Sequence, residues 1–65
     1  MPVVNIQMLD GRDDAKPAIA KAVTDAIATH AKVDPKYIYV IFNDVTPANC
    51  AISGEIIAET LKKSP

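Results

Sequence analysis

Residues 37–43 read YIYVIFN, and both faces of that run are apolar. Its aromatic and β-branched side chains favour an extended backbone. A strand apolar on both faces is one covered on both sides, as in a parallel sheet. Asp34-Pro35 lies just upstream, and a residue before proline is driven away from helical angles. A helix must therefore end before it. The spacing predicts one over residues 14–31, with Ile19, Val23 and Ile27 at i, i+4 and i+8 and with Ala22 and Ala26 filling the stripe. Asp13 is the expected N-cap. Pro17 falls in the first turn, where backbone amides have no helical acceptor, and Lys32 complements the negative end of the helix dipole.

Upstream again, residues 2–9 alternate. Val4, Ile6 and Met8 share one face; Val3, Asn5, Gln7 and Leu9 share the other. Period two is strand periodicity, and Asp10-Gly11 ends it with turn chemistry. Strand, helix of crossover length, strand is a βαβ unit with parallel strands and a right-handed connection. The fold class is α/β, and residues 1–65 are expected to form one domain. Downstream, residues 46–49 read as a turn and residues 50–52 as a short strand, part of a hairpin. Ser53-Gly54 breaks it, and residues 55–63 read as a short amphipathic helix.

One helix cannot cover both faces of such a sheet. A 65-residue chain buries only about 60% of the surface its unfolded form exposes. Folds this small lean on disulfides, metals or oligomerisation. Cys50 is the single cysteine, which excludes an internal disulfide, and His30 is the single histidine, so no pair has metal-ligand spacing. With 49% hydrophobic residues, oligomerisation is the expected solution. The net charge is -1 with no basic stripe, which argues against nucleic acid. No apolar run reaches the roughly 18 residues of a membrane span. The amino-terminal stretch lacks the long apolar core of a secretory signal. A free cysteine suits a reducing compartment, so a cytoplasmic location is expected.

The Met-Pro start, a first strand ending in "LDGR", a long helix, a buried strand and "CAISGE" near the end resemble the 4-oxalocrotonate tautomerase family along nearly the whole chain. The resemblance implies a βαβ protomer that pairs into dimers, with three dimers forming a hexamer. It also implies conversion of enols or dienols of 2-keto acids, such as 2-hydroxymuconate-like compounds, to their keto isomers, with no metal or organic cofactor. Pro2 would be the catalytic residue. While Met1 is attached, the Pro2 nitrogen is an amide without basicity; once Met1 is removed it is a secondary amine. An apolar setting lowers the pKa of such an amine toward working pH. Arg12, behind Gly11, would hold a substrate carboxylate in bidentate fashion.

Two positions depart from the family pattern. The second strand carries Tyr39 where well-studied members have an arginine. A hydroxyl can donate to the enol oxygen but brings no charge, so it stabilises an oxyanion less than a guanidinium does. Cys50 stands where those members have a bulky aromatic. It would line a wider pocket, and a nucleophilic role is disfavoured because no histidine lies near it in sequence and a reactive thiolate needs an electropositive setting. Two alternatives stay open. A protonated Pro2 could assist hydration or dehalogenation of an unsaturated acid, although no activating carboxylate is evident. With Met1 retained, the chain would be an oligomeric module without catalysis.

Overall fold

A computed structural model describes residues 1–63. Strand β1 (Val3–Leu9) leads through a loop to helix α1 (Lys16–Ala31) and then to strand β2 (Tyr39–Val45). The strands pair in parallel, with Val3 opposite Tyr39, Ile6 opposite Phe42 and Leu9 opposite Val45. The βαβ order is therefore as expected. The helix covers one sheet face, where Val4, Ile6, Met8, Val40 and Phe42 are half-buried. The opposite face, with Val3, Tyr39 and Ile41, is open.

Beyond β2 a 3₁₀ turn (Pro47–Asn49) leads to a hairpin of β3 (Ala51–Ile52) and β4 (Glu55–Ile56), followed by helix α2 (Ile57–Lys63). Ser53 (φ 54°) and Gly54 (φ 81°) form its turn. Two successive positive φ angles are the type I′ geometry, whose twist matches that of the flanking strands. The elements after β2 pack mainly on one another and touch the βαβ frame sparsely. The molecule measures 46 × 23 × 15 Å, with a radius of gyration of 15.5 Å. A compact domain of this length would have about 11 Å. No described residue is fully buried.

Several boundaries differ from expectation. Helix α1 starts two residues late, with Ala15 at the N-cap and no side-chain cap. The Asp13 carboxylate is bound to Lys16 instead. On α1 the half-buried small residues are Ala20, Thr24 and Ala28, while Ala22 and Ala26 are exposed, because the sheet lies toward the other flank of the stripe. Strand β2 is shifted two residues along the chain. Pro35–Tyr37 forms a 3₁₀ turn, and the Asp34 carboxylate accepts from the Lys36 amide at 3.0 Å. Glu55 and Ile56, expected in the last helix, belong to β4 because the I′ turn folds them back onto Ala51 and Ile52. Among the described residues no helix is long and apolar enough to cross a membrane.

Candidate active site

Four residues were singled out by sequence: Pro2, Arg12, Tyr39 and Cys50. The sheet sorts them into two pairs. Pro2 and Tyr39 lie at the amino ends of the parallel strands. The Tyr39 amide donates to the Pro2 carbonyl oxygen at 3.0 Å, which fixes Pro2 at the sheet edge just before β1. Pro2 is half-buried, whereas Met1 in front of it is 82% exposed. A proline suits this place because the first position of a strand needs no ladder amide. The Tyr39 side chain, 51% exposed, points to the open sheet face opposite Val3.

Arg12 and Cys50 lie beyond the carboxyl ends of the strands. Gly11 (φ 91°) turns the chain out of β1, a conformation that costs glycine nothing. Arg12 follows it, exposed and without an ion pair among the described residues. It is the only arginine in the chain. Cys50 is half-buried, and its carbonyl accepts from the Ile57 amide at 2.8 Å, closing the base of the hairpin. Ile52, Glu55, Ile57 and Thr60 of this carboxyl-terminal arm line, with Leu9, an open groove of about 450 Å³.

Between the two pairs runs the length of β1, and six rises of about 3.3 Å put its ends roughly 20 Å apart. An arginine side chain cannot reach across that distance. Within one chain, Pro2 and Arg12 do not share a site. A substrate that touches both must take them from different copies.

Lys16 is a feature of this region that sequence reading missed. Its ammonium donates to Asp13 and to Asp44 at 2.7 Å each and lies 5.7 Å from the Phe42 ring centre. Hydrogen bonds to the two carboxylates, Asp13 foremost, raise its pKa above the usual lysine value. Asp13 to Lys16 was readable as an i, i+3 pair; Asp44, 28 residues away, was not. Among the described residues no group of three or more His, Cys, Asp or Glu side chains could hold a metal ion.

The model of the tautomerase enzyme family matches residues 2–60. A probable tautomerase of Ralstonia nicotianae is 48% identical over 60 residues, covering 91% of this chain and 92% of that protein. A probable tautomerase of Lactococcus lactis is 37% identical, over 86% of this chain and 93% of that protein. Among solved structures, a heterohexamer 4-oxalocrotonate tautomerase from Chloroflexus aurantiacus superposes with a TM-score of 0.84 at 30% identity, over 91% of this chain and 97% of that one. A 4-oxalocrotonate tautomerase isozyme from Methylibium petroleiphilum shares the fold alone, with a TM-score of 0.90 at 20% identity over 97% and 100% of the two chains. With the βαβ frame, the carboxyl-terminal hairpin and nearly full-length matches in agreement, this chain belongs to the tautomerase family, among the homologues of 4-oxalocrotonate tautomerase.

Proposed function

We propose that this protein is an enol–keto tautomerase for small 2-keto acids of the 2-hydroxymuconate kind, with Pro2 as its general base. The observation that carries the proposal is the anchored, half-buried Pro2 at the sheet edge of a chain of this family. Removal of Met1 frees the Pro2 nitrogen. Its lone pair takes the proton of the enol hydroxyl. The electrons of that bond form the carbonyl, the conjugated double bond shifts, and the far carbon recovers a proton from the prolinium. No atom is gained or lost and no oxidation state changes overall, so the proposal includes no metal or organic cofactor.

The roughly 20 Å between the strand ends supports a reading in which the remaining roles come from more than one copy. Arg12 of a second chain holds the substrate carboxylate and draws electron density along the conjugated system. The Tyr39 hydroxyl donates to the enol oxygen, and Cys50 lines the pocket. The assembly is a homohexamer, in which the open sheet face and the arm are covered. The test is turnover of 2-hydroxymuconate by mass-verified, Met1-free protein, followed as loss of dienol absorbance. Conversion faster than buffer is expected, and none is expected from protein that retains Met1. Absence of turnover across a panel of such enols would overturn the assignment.

A further inference from the structure

We infer that Lys16 is a positioning residue for Arg12, tying the loop that carries the guanidinium to the carboxyl end of β2. The inference rests on Arg12 being the carboxylate anchor proposed above. The loop is fixed at several points. The Asp10 amide donates to the Val45 carbonyl at 3.0 Å, and the Ala15 amide donates to the Arg12 carbonyl at 3.0 Å. The Lys16 amide donates to the Asp13 carbonyl at 3.3 Å. The Lys16 ammonium then joins Asp13, the residue next to Arg12, to Asp44 on β2. Gly11 is the one position between these ties with a left-handed backbone, and so the natural point of slack.

Two things follow for Arg12. The first concerns entropy. A guanidinium mounted on a loop held in one backbone geometry loses less freedom on binding, and that saving appears as affinity. The second concerns charge. Asp10, Asp13 and Asp14 surround Arg12 in sequence, and a neighbouring carboxylate is the natural competitor for its fork. Lys16 occupies the Asp13 carboxylate, and Arg12 is left without an ion pair among the described residues. The Lys21–Asp25 pair on α1 is an internal contrast. Its side chains are 79% and 58% exposed and it spans one helical turn, so it ties no loop to a strand. The Lys16 side chain is 21% exposed, packed over Phe42, and it joins segments distant in sequence.

The experiment measures binding of cis,cis-muconate, an inert dicarboxylate, by calorimetry to the assembled, Met1-free protein. The forms compared are the parent, Lys16→Met, Arg12→Ala, the double variant and Lys16→Arg. Sedimentation accompanies each. Arg12→Ala should weaken binding at least tenfold and Lys16→Met about fivefold, and Lys16→Arg should recover most of the loss. The double variant should bind no worse than Arg12→Ala alone, because a residue acting through Arg12 has nothing left to act on. Additive losses, or parent-like binding by Lys16→Met, would overturn the inference while leaving Arg12 as the anchor. Parent-like binding by Arg12→Ala, or no binding by the parent, would overturn the anchor itself and the inference with it. Should Lys16→Met fail to assemble, Asp44→Asn cuts the same tie at its far end and is held to the same non-additivity.

Discussion

The first 45 residues fold against themselves; the residues after β2 reach away from them. In the βαβ frame the apolar side chains of one sheet face have a local partner. Val4, Ile6, Met8, Val40 and Phe42 lie under α1. In the arm, Ile52 is 67% exposed and Leu61 is bare as well. Apolar side chains left uncovered in this way mark a surface for another molecule. The frame buries one of its sheet faces locally, whereas its other face and the arm are left open. Both ends of the sheet bear on the proposed chemistry, so the proposal ties activity to assembly.

Breaking the arm should produce the largest effect. The parent is expected to sediment at several times the 7.0 kDa chain, sixfold for the hexamer. Ile52→Asp should abolish that assembly, whereas Lys21→Ala on the outer face of α1 should leave the mass unchanged. An Ile52→Asp protein that sediments like the parent would show that the arm is not an interface element.

Next in size is the chemistry at the amino end of β1. Pro2→Ala leaves a primary amine of different basicity and geometry once Met1 is removed. Turnover should fall at least tenfold, about 1.4 kcal/mol of barrier. The assembled mass should not change, which separates this variant from the arm variant. Undiminished turnover would remove Pro2 from the mechanism.

Tyr39→Phe should cost less. It deletes one hydroxyl donor near the enol oxygen, worth about 1 kcal/mol or roughly fivefold in kcat. Tyr39→Arg should act in the opposite direction on a dicarboxylate enol, since a charged donor stabilises an oxyanion more than a neutral one. If Tyr39→Phe is silent and Tyr39→Arg only weakens assembly, the side chain serves packing on the open face.

The smallest effect belongs to the hairpin turn. Ser53 adopts a left-handed conformation that asparagine tolerates better, and Asn-Gly is the preferred pair for this turn type. Ser53→Asn should raise the melting temperature by about 1–2 °C. A fall would mean that the Ser53 hydroxyl makes a contact in the assembly that outweighs the turn preference.

Much of the frame was legible in the sequence because its causes are local. The alternation of Val4, Ile6 and Met8 fixes the inward face of β1, and the Ile19, Val23, Ile27 stripe fixes α1. The misplacements arose where a competing local bond or a distant contact intervened. Asp13 has cap chemistry, but the Lys16 ammonium binds its carboxylate. Asp34 draws the Lys36 amide into a 3₁₀ turn and delays β2. Glu55 and Ile56 have helical neighbours, yet the I′ turn pairs them with Ala51 and Ile52. The candidate residues could be named one by one from Pro2, Gly11-Arg12, Tyr39 and Cys50. Their separation into two groups was implicit in the same reading, because Pro2 opens the strand over residues 2–9 and Arg12 follows its far end.

That separation has a consequence for mixed populations of chains. If each centre takes Pro2 from one chain and Arg12 from another, a chain with a damaged base still lends a sound guanidinium to its neighbour. Pro2→Ala and Arg12→Ala chains, each inactive alone, would partly restore each other when co-assembled. In a random equal mixture about one centre in four would receive both intact halves, by the statistics of a symmetric assembly. Inheritance of a defect would then follow the ring rather than the chain: one faulty copy dilutes the function of its neighbours, and two different faults compensate.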